Sequence, residues 1–211
     1  MAVPITKRLG LAPYETAYLA MRDANRSRDA NTRDELWLLQ HPPVFTLGLA
    51  GKPEYVLAPG DIPVVKIDRG GQVTYHGPGQ AVVYLLLDLR HLGYGVKELV
   101  RRIEEGVIRL LAGYGIDGFR LQGMPGVYVK RRGADAKIAA IGLRVANHAT
   151  YHGVSLNVDM DLEPFSRINP CGYEGLAVTQ LNDLGVGDNV DQAGDKLIAA
   201  LTESIYGTPH G

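Results

Sequence analysis

The apolar positions of this chain change period several times, and each change marks an element. In residues 13–25, Tyr14, Ala17, Tyr18 and Met21 fall at i, i+3, i+4 and i+7, the spacing of one helical face, and Pro13 suits the start of that helix. A longer stripe of Val96, Leu99, Val100, Ile103, Val107, Leu110 and Leu111 predicts a second amphipathic helix over residues 96–111, with Gly113 near its end. Ala193, Leu197, Ile198, Leu201 and Ile205 predict a third over residues 189–205.

Between these helices the pattern is that of strands. Residues 35–40 and 44–47 are β-prone runs separated by Pro42 and Pro43, which cannot continue a central ladder. Residues 64–67 and 81–89 are dense in Val and Leu, the second almost without interruption, as expected of a strand covered on both faces. Residues 126–158 divide into GVYV, AKIAAIGLRV and YHGVSLNV, with the turn RRGAD after the first. This mixture predicts an α+β fold, a mixed β-sheet flanked by helices, without internal repeat or linker.

Length and charge narrow the class. At 211 residues one core and one domain over residues 1–211 are expected. Hydrophobic residues at 45% and charged residues at 21% suit a folded globular chain rather than a disordered one. The formal net charge of -1 provides no overall field for nucleic acid or an anionic membrane, so neither is an expected partner. The chain opens MAVPITKRLG, with no secretory pattern, and its single cysteine cannot form an internal disulfide, so a cytoplasmic location is expected.

Three segments carry candidate chemistry. The loop RGGQVTYHGPGQ, residues 69–80, gathers a guanidinium, an imidazole, hydroxyls and amides where glycines expose the backbone, and is longer than a simple turn needs. It lacks the lysine of a P-loop and the GxGxxG of a dinucleotide loop, so nucleotide binding is not indicated. Cys171 stands in INPCGYEG, between proline and glycine, where a positioned nucleophile is as plausible a reading as a small buried hydrophobe. Lys137 opens the apolar run KIAAIG; most lysines are solvated, but burial disfavours an ammonium and makes a lysine usable as a base. His76 and His152 are more readily hydrogen-bonded structural residues than ligands, and with one distant cysteine they make no zinc pattern, so no metal is expected.

RGGQVTYHGPGQ, KIAAIG, HGVSLNV and INPCG, in that order, resemble the motifs of the lipoyl(octanoyl) transferase family over residues 36–181. The resemblance implies the fold of the biotin and lipoate protein ligase catalytic domain. It implies Cys171 as acyl-thioester nucleophile and Lys137 as its acid/base partner. Substrate contacts implied by it are Arg69, Gly70, Gly71, Gln72, Val73, Thr74, Tyr75 and His76, then Ala140, Ile141 and Gly142, then Gly153, Val154 and Ser155.

The implied donor is octanoyl-acyl carrier protein, with the acyl group on its phosphopantetheine. The implied acceptors are lipoyl domains of 2-oxoacid dehydrogenase E2 subunits and the glycine cleavage H protein. No cofactor is implied. Oxyanion donors are expected from the loop around Cys171 or from Gly77 to Gly79. An ATP-dependent lipoate or biotin ligase, a non-catalytic lipoyl-domain binding module and a cysteine hydrolase remain alternatives.

Overall fold

The computed structural model describes residues 3–169 and 176–207. Its elements are β1 (Ile5–Leu11), α1 (Tyr14–Arg26), β2 (Glu35–Gln40), β3 (Val44–Leu47), β4 (Val64–Lys66), β5 (Val73–His76), β6 (Gln80–Leu86), α2 (Leu89–Leu92), α3 (Val96–Gly113), β7 (Gly118–Leu121), β8 (Met124–Arg131), β9 (Ala134–Ala146), β10 (Ala149–Asn157), β11 (Ala177–Val178) and α4 (Val190–Tyr206).

The main sheet runs β1-β2-β6-β10-β9-β8-β7, with β11 added parallel to the start of β9. The β1–β2 pair is parallel and the other neighbours along that path are antiparallel, so the sheet is mixed. A second, three-stranded sheet runs β4-β3-β5. The runs at 35–40 and 44–47 therefore belong to different sheets, and Pro42 and Pro43 lie in the passage between them.

β6 explains its own composition. Ala81, Val83 and Leu85 pack with Leu99, Ile103 and Leu201 under α3 and α4, while Val82, Tyr84 and Leu86 pack with Ala17 and Met21 of α1. Both faces are covered, so no position on the strand is left to water. The strand stops at Leu86, short of the expected 89, because Asp88 caps a new helix by accepting the Arg90 backbone N–H at 2.9 Å.

α4 begins with a capping box. The Asn189 side chain accepts the Gln192 N–H at 2.9 Å and the Gln192 side chain accepts the Asn189 N–H at 3.0 Å. Three strands escape the sequence pattern, the largely exposed β1, the edge strand β7 and the two-residue β11, and β5 lies inside what reads as one continuous glycine loop. No helix among the described residues is long and apolar enough to cross a membrane.

Candidate functional site

A mostly apolar cleft of about 270 Å³ opens where the glycine loop, β9 and β10 meet. Arg69, Gly70, Gly71, Gln72, Val73, Thr74 and His76 line it from the loop and β5. Lys137, Ala140, Ile141 and Gly142 line it from β9, and Gly153, Val154 and Ser155 from β10. Tyr75 is placed elsewhere: it shares a face of β5 with Val73, and its ring lies 5.5 Å from those of Phe45 and Phe165. Cys171 lies outside the described residues.

Strand pairing sorts the remaining positions. Ala140 stands opposite Ser155 and Gly142 opposite Gly153, whereas the intervening pair, Ile141 and Val154, packs toward the apolar core beneath α3 and α4. Gly142 has a steric reason to be glycine, since a Cβ there would come within 2.9 Å of Arg69 Cδ and 3.1 Å of the Gly70 carbonyl oxygen. Tyr14 of α1 and Val96 and Val100 of α3 border the same cleft from opposite sides of the sheet. The cleft thus passes the edge of β9 beyond Ala140, the last residue at which β8 pairs with it.

Lys137 owes its direction to a bulge. Tyr128 stands opposite Lys137 but Val127 stands opposite Ala139, so Ile138 is an extra residue, and its side chain is buried in the aliphatic core. In an uninterrupted strand Lys137 and Ala140, three positions apart, would point to opposite faces; here both line the cleft. Lys137 is only 5% exposed, donates to the Pro125 carbonyl at 3.3 Å and holds Nζ 5.1 Å from the Tyr128 ring centroid. Gly126, at φ of +128°, sits directly beside this bulge: a Cβ there would come within 2.5 Å of the Ala139 carbonyl oxygen and 3.3 Å of Lys137 Cε.

Arg69 spends its donors within the protein. Nη2 donates to the Thr46 carbonyl at 2.7 Å and to Thr46 Oγ1 at 2.9 Å, and Nη1 to the Gly70 carbonyl at 2.9 Å, which ties the loop to β3. The Gly70 N–H reaches the Leu143 carbonyl at 2.8 Å and ties the same loop to β9. One of the oxyanion donors expected at 77–79 is engaged already: the Gly79 N–H donates to Gln40 Oε1 at 2.8 Å.

Two buried histidines, His76 and His152, line the cleft, and a third, His41, holds its ring 5.7 Å from that of His76. Burial pushes His41 down to about 4, opposed by its bond to Ala12; the same cause takes His76 to about 3 and His152 to about 4. All three are neutral near pH 7. His41 Nδ1 lies 2.7 Å from the Ala12 carbonyl oxygen, which can only accept, so His41 carries its proton there and Nε2 accepts from the Tyr84 hydroxyl at 2.6 Å.

His152 has φ of +61°, a left-handed conformation within a strand that costs a non-glycine residue about 1–3 kcal/mol. Its ring stacks on Tyr18 and Tyr151, and Nε2 lies 3.3 Å from Asp68 Oδ1, while the Tyr151 hydroxyl donates to Asp68 Oδ2. Burial raises the Asp68 carboxyl, but hydrogen bonds from Tyr151, His152 and Tyr18 outweigh it and hold the group below its ordinary value.

Tyr14, Tyr84, His152, Asn157, Val96 and Val100 line the cleft without having been expected there. Tyr84 did carry a signal, being a hydroxyl inside an otherwise aliphatic buried strand, where it needs a partner. Val96 and Val100 carried none, because a helical stripe reads as core throughout. Among the described residues no group of three or more His, Cys, Asp or Glu could hold a metal ion.

With this geometry in place, likeness to known proteins is informative. The family model for the lipoyl protein ligase A/B catalytic domain matches residues 14–202. The chain is 56% identical to a protein named Octanoyltransferase from Thiobacillus denitrificans, over 96% of this chain and 91% of that one. It is 59% identical to another of that name from Chromobacterium violaceum, over 95% of each. Among solved structures it resembles a bipartite lipoate protein ligase from Thermoplasma acidophilum, with a TM-score of 0.77 at 17% identity, covering 97% of this chain and 84% of that one. It also resembles the biotin protein ligase of Aquifex aeolicus, with a TM-score of 0.59 at 12% identity, covering 95% and 70%. At those identities the structural likeness speaks to the fold alone, and the fold is the one expected.

Proposed function

The chain belongs to the lipoyl protein ligase A/B catalytic domain family, and from that premise we propose that it is an octanoyltransferase of protein lipoylation working through a thioester on Cys171. The near full-length identity to octanoyltransferases supports the activity. The observation that carries the mechanism is Lys137, a buried amine turned by the bulge at Ile138 into an apolar cleft whose facing positions are Ala140, Gly142, Gly153 and Ser155.

The residue types suit the chemistry. A free thiol ionises near pH 8.5, so a neighbouring lysine that takes its proton raises the thiolate fraction and then shields the anion as an ammonium. The Cys171 thiolate attacks the octanoyl thioester on the phosphopantetheine of a carrier protein, and the Lys137 ammonium returns the proton to the departing thiol. A lysine of a lipoyl domain then attacks the enzyme thioester, with E2 and H-protein domains as the acceptors. Thioester exchange is nearly isoenergetic and the final amide lies downhill, so the reaction runs without ATP. Burial of the chain contributes roughly 0.8 kcal/mol per methylene, up to about 5 kcal/mol before ordering costs.

The test is mass spectrometry of the protein after incubation with octanoyl carrier protein, then with a lipoyl domain, in the absence of ATP. A thiol-labile octanoyl adduct on Cys171, followed by an octanoyl amide on the acceptor, is the expected result. An absolute requirement for ATP, or transfer without any adduct, would overturn the mechanism.

A further inference from the structure

The hydrogen-bonding sense of His76 is dictated from the interior. The Thr179 carbonyl oxygen only accepts, so the atom 3.0 Å from it is Asn157 Nδ2, and Asn157 turns Oδ1 toward Gln80. Gln80 Nε2 donates to that oxygen at 2.9 Å and to the Tyr75 carbonyl at 3.3 Å. Gln80 Oε1 is then the atom 2.7 Å from His76 Nδ1, and an amide oxygen only accepts. Nδ1 must therefore carry the proton.

Two backbone carbonyls thus set the tautomer of a cleft-lining imidazole through a buried relay of Asn157 and Gln80, 5% and 1% exposed. Nε2 is left with a lone pair, and no described residue bonds to it. An acyl thioester brings no N–H or O–H of its own to such an acceptor, whereas the amine that attacks it does.

We propose that His76 Nε2 accepts a hydrogen bond from the amino group of the incoming acceptor lysine and so aims that nitrogen's lone pair at the acyl carbonyl carbon. This rests on the thioester mechanism above. The step balances without His76 exchanging a proton: the N–C bond forms, the C–S bond breaks, and the surplus amine proton passes to Lys137 and on to the Cys171 sulfur. Burial suits an acceptor of this kind, because an imidazole that resists protonation keeps its lone pair throughout the physiological range.

His76→Phe, with the two half-reactions measured separately, is the activity test. Transfer from pre-formed octanoyl-enzyme to a lipoyl domain should slow about 10- to 100-fold, the effect of one lost hydrogen bond at the reacting nitrogen, while acylation of Cys171 changes less than about 3-fold. Equal loss in both halves, or in neither, would overturn the proposal. A loss in acylation confined to carrier-bound donors, and absent with an octanoyl thioester lacking amide groups, would assign Nε2 to the pantetheine arm instead and also overturn it.

A second measurement needs no variant: ¹⁵N NMR of the wild-type histidines should show His76 protonated at Nδ1 and bare at Nε2 near pH 7. The opposite tautomer would overturn the proposal whatever the kinetics. Wild-type enzyme that forms no acyl adduct would fail the thioester mechanism itself, a result distinct from all of these.

Discussion

Toward α3 and α4 the main sheet presents Leu36, Leu38, Val83, Leu85, Val154 and Leu156, whereas the side turned to α1 and the small sheet gathers His41, Tyr84, His152, Gln80, Asn157 and the cleft. The same strands supply both. Apolar packing is non-directional, so the first side asks for complementary volume rather than for partners of a given sense, and each loss there scales with the atoms removed. On the second side polar groups are held by partners of the right sense, and the donors and acceptors form relays that end on backbone carbonyls. The first side holds the fold together and lends Val96, Val100 and Val154 to the border of the cleft, and the second holds polar side chains at fixed positions around it.

Acid should break this comparison most strongly. His41, His76 and His152 stay neutral in the fold to about 4, 3 and 4, while an unfolded histidine takes a proton near pH 6.5. The unfolded state therefore binds more protons below pH 6.5, so stability falls as the pH drops from 6.5 toward 4, by about 2 kcal/mol per histidine at pH 5. Urea unfolding at pH 7 and pH 5 measures it. Equal midpoints at the two pH values would contradict the buried, neutral assignment of all three.

Lys137→Arg should come next, with a loss of about 10²- to 10⁴-fold in transfer, since a guanidinium retains the charge but does not give up its proton near neutral pH. Turnover, together with the pH dependence of Cys171 alkylation, reports it. Normal transfer with an unshifted alkylation profile would remove Lys137 from the reaction.

On the apolar side, Leu201→Ala should cost about 2–5 kcal/mol of stability, because Leu201 is fully buried against α3. Its kinetic constants per folded molecule should stay within about 2-fold of wild type, since stability changes of that size need not reach the site. Denaturant titration and activity on the same sample separate the two sides. A change in acyl preference with this variant would show that they are coupled.

The smallest effect is a change of preference. Ala140→Leu places extra carbons in the cleft beside Ser155, and each methylene of substrate it excludes forfeits about 0.8 kcal/mol, or roughly 4-fold. Acyl-enzyme formation across a chain-length series should move from octanoyl toward hexanoyl and butanoyl. Gly142 is a poorer probe, because its missing side chain leaves room for Arg69 rather than for open space.

The local elements were readable from the chain because their determinants are local. The stripe from Leu99 to Leu111, the run in β6 and the stripe from Ala193 to Ile205 depend on spacing within one segment. The long motif around the glycine loop pointed to the cleft, and 13 of the 14 substrate contacts expected from the resemblance line it, Tyr75 being the exception. Tyr75 packs its ring with those of Phe45 and Phe165 instead, and the pairing of β5 to β3 that puts it there lies outside any local pattern.

The division of residues 35–47 between two sheets, the placing of Val96 and Val100 at the cleft and the bulge at Ile138 that turns Lys137 inward were decided only by tertiary structure. So was the direction of the His76 relay. Periodicity records which face of an element is apolar, but the sense of a hydrogen bond and the register of a bulge depend on what another segment brings opposite, here Thr179 for Asn157 and Tyr128 for Lys137.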